Sequence, residues 1–343
     1  MKKQTLGKLG GLIALDIGTD TLRITKKGSA QIIEEPSIVA VDRDNGTLRA
    51  AGQDALALQE EIPQHILPLR PLEKGCITNY KMAQYLLQHL LQKAYRSRLK
   101  KPNLLLCVPT QLSQVQARAF VDVGLSIGAK RVHLLPSPLA AAAGLNLDIT
   151  APQGQMVVDI GAGTTEIALL SLSDIVTAES HNIAGLQFDK AIVKAIRREH
   201  NLLIGTKSAQ SLKHSLGCTP DTTAEALFPV TGRDLSAGTP KEILVSASQI
   251  LAATTPIAQQ LTEEISLVLE RTPPALADSI VKNGLHLCGG SANLCGLSAL
   301  LSQQLDLPVH TSDEPQGAVI RGAVSLLSQP RLLESALTWT SNP

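Results

Sequence analysis

Two short stretches, far apart in the chain, carry one pattern. "LIALDIGTDTLRI" (residues 12–24) and "MVVDIGAGTTEIALL" (residues 156–170) each run an apolar segment into Asp-Ile-Gly, add threonines, and resume with a second apolar segment. Each reads as strand, glycine turn, strand, with a carboxylate ending the first strand and hydroxyls near the start of the second. Asp16 and Asp159 stand 143 positions apart, too far for a solenoid repeat and right for a duplicated domain. A lone copy is an ordinary hairpin, but two copies facing across a cleft can hold a polyphosphate from both sides. Glycines admit close approach of the backbone, and amides and hydroxyls supply donors. The two carboxylates can hold a hydrated Mg²⁺ against phosphate oxygens. Other phosphate devices fail on the residues: the sequence has no G-x-x-x-x-G-K-[ST], and "GAGTTE" (161–166) lacks the last glycine of the dinucleotide fingerprint and leads into a strand pattern.

With 343 residues, 44% hydrophobic and 18% charged, the chain can bury the cores of two domains. A net charge of +1 argues against a general nucleic-acid partner, and 2% aromatics leave little to stack on bases. The five cysteines, at 76, 107, 218, 288 and 295, form no CxxC pair and no zinc spacing, which fits a reducing compartment. Cys107 and Cys288 lie in apolar, strand-like runs and read as inert buried thiols. The opening "MKKQTLGKLGGLIALDIG" has only a short, glycine-broken apolar stretch, so it reads as a tail entering the first strand and not as a signal peptide. No apolar run approaches a membrane-spanning length, and a cytoplasmic protein is expected.

Along the chain, strands and helices alternate. Residues 31–41 read as one strand, 82–95 and 111–128 as helices around a buried strand at 103–109, and 139–144 opens an alanine-rich helix after the strand "RVHLL". The second half follows with helices at 188–199 and 207–216, a peripheral insert at 218–241, and a long helical stretch from 246 to 271. "LHLCGGSANLCGL" (285–297) reads as a strand, a Gly289-Gly290 turn and a helix start. Such a turn can lie flat against a nucleoside or phosphate. Its place after two Asp-Ile-Gly hairpins favours binding over an ordinary connection. The alternation predicts an α/β fold.

The three turns in this order resemble the superfamily of actin, sugar kinases and heat-shock-chaperone ATPases. Over nearly the whole chain, "EEPSIVAV", "LRPLEKGCITNY", "LLCVPTQ", "FDKAIVKAIRREHNLLIG", "LKHSLG" and "GRDLSAGTPKEI" resemble, in register, segments of the MreB family of bacterial actins, the rod-shape-determining proteins. The resemblance implies duplicated actin-like, ribonuclease H-like domains flanking an ATP cleft, divided into four subdomains: 1–32, 66–145 and 318–343 (IA); 33–65 (IB); 146–180 and 244–317 (IIA); 181–243 (IIB). It implies filaments built head to tail from copies of the chain, on the inner face of the cytoplasmic membrane, where they guide wall synthesis with membrane proteins of cell elongation. Carried onto matching positions, Asp16, Gly18, Thr19, Asp20 and Thr21 form the first phosphate loop and Asp159, Gly161, Ala162, Gly163, Thr164 and Thr165 the second. Asp16 and Asp159 would hold Mg²⁺ through water. Gln210 and Lys213 would face the adenosine, and Gly289, Gly290, Ser291 and Ala292 would form its turn.

The departures bear on chemistry. Family members usually have Glu-Glu-Pro before the alanine-rich helix, the second Glu positioning the attacking water; here Pro136 and Ser137 stand at those two positions. A serine is a poor base near neutral pH, so hydrolysis is expected to be slow, with Ser137, Thr164 or Glu166 left to orient water. Asp20 and Thr21 replace a usual Ala-Asn, Gln210 and Ser215 replace glutamates, and Ala184-Gly185-Leu186 replaces Gly-Gly-Asp. "KAYRSRLKKPN" (93–103) sets Arg96, Arg98, Lys100 and Lys101 around Tyr95 and Leu99, where the family inserts apolar residues into the membrane. Each such cation near anionic lipid is worth about 1 kcal/mol, against the alternative of a solvated helix end. Two other readings compete: a hydrolysis-impaired paralogue that modulates or caps filaments, and a small-molecule kinase of the same fold, for which no catalytic carboxylate is evident outside the phosphate loops.

Overall fold

Both Asp-Ile-Gly stretches fold as antiparallel hairpins, and each hairpin seeds a sheet of the same strand order. The computed structural model describes residues 11–29, 31–61, 65–95, 101–216 and 226–340. In the first sheet the Leu12–Ile17 strand pairs antiparallel with Thr21–Lys26, which pairs with Ile33–Pro36. On its other side it pairs parallel with Asn103–Val108, followed by Arg131–Pro136 and, at the edge, Trp339–Thr340. In the second sheet Gln155–Ile160 pairs antiparallel with Thr165–Ser171, which pairs with Asp174–His181. Its other neighbours are the parallel strands Leu285–Cys288 and Val309–Thr311. The duplication seen in the motifs is thus a duplication of topology. Apolar central strands buried on both faces are what parallel pairing requires.

The sheets stack through two helices of small residues, Ser137–Gly144 and Ala318–Leu327, whose alanines pack with Leu12, Ala14 and Leu105 of one sheet and Val157, Ala168 and Leu170 of the other. The outer face of the first sheet is covered by the Tyr80–Ala94 and Gln114–Ser126 helices, and that of the second by Ala247–Glu270 and Leu297–Leu305. Two three-stranded sheets sit outside these layers, besides a short two-stranded ribbon of Leu72–Glu73 and Cys76–Ile77. One joins Val39–Asp42, Leu48–Ala51 and Ile66–Leu69; the other joins Leu202–Leu203, Leu227–Asp234 and Pro240–Ser246.

The two central helices approach as closely as glycine permits. A Cβ on Gly322 would lie 1.7 Å from the Ala140 carbonyl oxygen, and one on Gly144 would lie 1.9 Å from that of Ala318. Only separation of the helices relieves such contacts, because the obstructing atoms are backbone. Gly322→Ala is therefore expected to destabilise the protein by about 3 kcal/mol, the upper part of the range for overpacking. Denaturant midpoints read the effect, with Gly205→Ala as control because nothing lies within 4 Å of its added Cβ. Equal midpoints for the two variants would show that this crossing is not tight.

Several expectations from sequence need correction. Residues 31–41 are two strands in two sheets: Pro36 has no N–H with which to continue the ladder, and the Ser37 amide turns to the Asp20 carbonyl, 2.7 Å away. The helix expected at 111–128 begins at Gln114, because Ser113 caps it in a box with Gln116. The insert expected at 218–241 contains most of a hairpin, Leu227–Asp234 with Pro240–Ser246. Gly289-Gly290 does not open the following α-helix; a single 3₁₀ turn at Gly290–Asn293 intervenes, and the helix begins at Leu297 after Gly296 at φ 74°.

Candidate functional site

The hairpin turns meet at one end of the stacked sheets. Gly163 of the second turn lies against Thr19 of the first so closely that a Cβ there would be 2.5 Å from the threonine Oγ1. Between and around the turns is a cavity of about 310 Å³. Asp16, Gly18, Thr19, Asp20 and Thr21 line one wall, and Asp159, Gly161, Ala162, Gly163 and Thr164 the other. Gln210 and Lys213, one turn apart on the Thr206–Leu216 helix, line the end that Gly289, Gly290 and Ser291 close. Gly289 holds φ +83° with its α-carbon facing Asp159, where a Cβ would sit 2.5 Å from the carboxylate Oδ1. The Ser291 hydroxyl donates to the Gly161 carbonyl at 2.9 Å, tying the third turn to the second.

Two residues carried over by motif lie elsewhere. Thr165 is fully buried and its hydroxyl donates to the Ile183 carbonyl at 2.5 Å, and Ala292 packs in the core under the second sheet. The cause is strand alternation: Asp159 is opposite Glu166 and faces the cavity, so Thr165, opposite Ile160, points the other way.

The cavity's acids are crowded. Burial raises the Asp16 carboxyl to about 6, against the lowering effect of Arg23, and raises Asp159 to about 7, with Asp16 and Glu166 adding repulsion. Two carboxylates that resist ionising together in a polar cleft suit a divalent cation, which favours their charged forms. This donor set fits Mg²⁺ held by one or two carboxylates plus ligand phosphates. Lys213 is buried against Asp189 at 2.8 Å and donates to the Gly185 carbonyl at 3.1 Å. Burial raises Asp189 despite that partner.

The three residues expected to orient water all line the cavity, but they are not equally available. Ser137 is the first residue of its helix, and its hydroxyl donates to the Val108 carbonyl at 3.2 Å. Glu166 accepts from the Thr110 amide at 2.9 Å, from the Thr110 hydroxyl at 2.7 Å and from Ser180. Its carboxylate joins the two halves of the molecule. Thr164 carries a hydroxyl at the wall of the second turn. Sequence reasoning missed two cationic residues of the cavity, Arg23 and Arg70. Arg70 pairs with Asp20 at 2.9 Å, so the extra negative charge of the first loop has a partner. Arg23 could have been found by aligning the two hairpins, where it matches Glu166.

Of the basic segment, Arg96, Arg98, Leu99 and Lys100 lie outside the described residues. Tyr95 is partly buried against the first core, Lys101 is exposed, and Lys93 pairs with Glu35. Cys107 and Cys288 are buried free thiols, pushed well above the usual range by burial and by the neighbouring aspartates, as inert thiols should be; Cys218 is outside the described residues. Among the described residues no helix is long and apolar enough to cross a membrane.

A family profile described as MreB/Mbl protein matches residues 11–335. The cell shape-determining protein Mbl of Bacillus subtilis (strain 168) is 36% identical over 317 residues, covering 92% of this chain and 95% of the relative. The cell shape-determining protein MreB of Escherichia coli (strain K12) is 33% identical over 328 residues, 94% of each chain. Among solved structures, MreB5 of Spiroplasma citri bound to ADP superposes with a TM-score of 0.87 at 30% identity, covering 94% of this chain and 97% of that one. A MamK double helical filament shares the fold, with a TM-score of 0.79 at 20% identity, over 92% of this chain and 98% of that one. The fold is actin-like, the cavity lies between its two duplicated halves, and the chain belongs to the MreB/Mbl family.

Proposed function

We propose that this protein binds ATP in the cleft between its duplicated halves, assembles head to tail into filaments on the inner face of the cytoplasmic membrane, and guides wall synthesis and rod shape there. The observation that carries the reading is the meeting of both Asp-Ile-Gly turns with the Gly289 turn in one cavity. A relative at 30% identity over nearly the whole chain holds ADP in one structure and AMPPNP in another. The four-part division expected from sequence is kept in this proposal. Phosphates would lie between the backbone of the two turns, with adenosine against Gly289–Ser291 and the Gln210–Lys213 face. Mg²⁺, when bound to Asp16 and Asp159 through water, neutralises phosphate charge. Asp16 and Asp159 keep that charge in place, and Thr19 and Thr164 offer hydroxyls to the phosphates. Its own copies, anionic lipids and membrane proteins of cell elongation are the partners.

Sedimentation with Mg·ATP, with and without anionic liposomes, tests the assembly. Replacing Arg96, Arg98, Lys100 and Lys101 by Ser, with Tyr95 left in place because it packs on the core, is expected to abolish liposome co-sedimentation at low salt. Four cations at about 1 kcal/mol each, multiplied along a filament, set the size of the effect. Undiminished binding would return this segment to an ordinary solvated helix end. A second reading, a paralogue that modulates or caps filaments of a relative and turns over little ATP, draws on Ser137 in the water-positioning place and on the engagement of Glu166 by Thr110 and Ser180.

A further inference from the structure

Corresponding rows of side chains cross the sheets of the two halves, alike at the first two positions, opposite in sign at the third and different at the fourth. In the first half the row runs Cys107, Asp16, Arg23, Glu34, each directly opposite the next in register. In the second half it runs Cys288, Asp159, Glu166, Ser180. Asp16, Arg23, Asp159 and Glu166 all line the one cavity. The duplicated position beside the aspartate is therefore cationic on one wall and anionic on the other.

The two members of that position are held differently. Glu166 accepts three hydrogen bonds from Thr110 and Ser180 and acts as a strut between the halves. Arg23 is anchored from outside, its Nε donating to Glu34 at 2.6 Å, while its Nη1 stands 3.6 Å from the Asp16 carboxylate. That separation is a loose ion pair, and it engages only one of the fork's two terminal nitrogens, so the inner end keeps donors to spare. The other cavity cations make tight pairs with cavity acids, Arg70 with Asp20 at 2.9 Å and Lys213 with Asp189 at 2.8 Å.

We propose that Arg23 is a polyphosphate-contacting residue, a built-in cation that lets the cleft hold a nucleotide's phosphates when divalent cation is absent. The inference rests on the nucleotide reading of the cleft. A planar guanidinium matches phosphate oxygens with paired, charge-assisted donors. Standing beside Asp16, it also offsets the repulsion that two aspartates would otherwise exert on an incoming polyphosphate. An anchored hydrogen bond to a charged group is worth about ten- to hundredfold in affinity.

The test is affinity of the full chain for a fluorescent ATP analogue, measured in Mg²⁺ and in EDTA, for wild type, Arg23→Gln and Arg23→Lys. Wild type is expected to bind in EDTA. Arg23→Gln should lose a further ten- to hundredfold there and less than tenfold in Mg²⁺, while Arg23→Lys recovers most of the EDTA binding. Loss of all wild-type binding in EDTA, or the same Mg²⁺-to-EDTA ratio in wild type and Arg23→Gln, overturns the proposal. Absence of binding even in Mg²⁺ overturns the nucleotide reading instead. Should Arg23→Gln not fold, Glu34→Gln keeps the arginine and releases its anchor. Weakened binding in EDTA alone then supports the assignment, and unchanged binding defeats it.

Discussion

Replacing Asp159 by alanine is expected to weaken Mg·ATP binding by about a hundredfold or more, close to 3 kcal/mol, while raising the thermal stability of the protein without ligand. The two effects share one cause. Asp159 is largely shielded from solvent at the cavity wall, and that desolvation, with Asp16 and Glu166 near it, raises its carboxyl from 3.8 to about 7. The folded state then retains a proton that the unfolded chain releases near 3.8, so this group's contribution to stability falls as pH rises between those values. The alanine variant lacks that penalty, and its advantage in melting temperature should widen from pH 5 to pH 8. Bound Mg·ATP reverses the balance, because a charged carboxylate gains a cation held against phosphates in a partly dry cleft, and losing it leaves charge uncompensated. Calorimetric titration and thermal scans on the same samples read both signs. Equal affinity of wild type and variant would remove Asp159 from the binding assignment, and a melting difference that stays flat with pH would contradict its raised carboxyl.

What could be read from the sequence and what could not divide along physical lines. The hairpins are legible because Asp-Ile-Gly followed by threonines records a local turn, and local turns need particular residues whatever surrounds them. Inert thiols at 107 and 288 are legible because apolar runs flank them. The break at Pro36-Ser37 is hidden, since "EEPSIVAV" has strand-forming residues on both sides and only the partner strands reveal the change of sheet. Gly144 and Gly322 look like ordinary helix-weakening glycines until the helices are seen to touch backbone to backbone. Thr165 shows the limit of motif matching. A motif names a segment, but the twofold alternation of a strand decides which of its residues face the cavity, and with Asp159 paired to Glu166, Thr165 faces away from it. Arg23 escaped because "TLRITK" alternates like any half-buried strand; its meaning came from lying between Asp16 and Glu34.

Slow hydrolysis is the second large effect expected. At the position where the family resemblance implies a water-positioning glutamate stands Ser137, buried, with its hydroxyl given to the Val108 carbonyl. Among the described residues no other carboxylate on the cavity wall is free to take over: Asp16 and Asp159 would hold the proposed cation, Asp20 is paired with Arg70, Asp189 with Lys213, and Glu166 is held by Thr110 and Ser180. Phosphoryl transfer to water depends mainly on positioning and charge stabilisation, and a missing carboxylate commonly costs about 10²–10⁴-fold, or roughly 3–5 kcal/mol of barrier. Ser137→Glu should recover a substantial part of that factor, helped because residue 137 opens a helix whose N-terminus favours a carboxylate. Binding should hardly change, since the glycine turns and both aspartates do not depend on this side chain. Single-turnover phosphate release measures the rate, and Glu166→Gln supplies the decisive contrast. If Glu166 is a strut between the halves, its amide variant loosens the Thr110 contact and lowers the melting temperature more than it slows the chemistry. Should Glu166→Gln instead stop hydrolysis in a stably folded protein, water is positioned by Glu166 and the serine is incidental; a wild-type rate that Ser137→Glu does not raise would leave that role to Glu166 or Thr164.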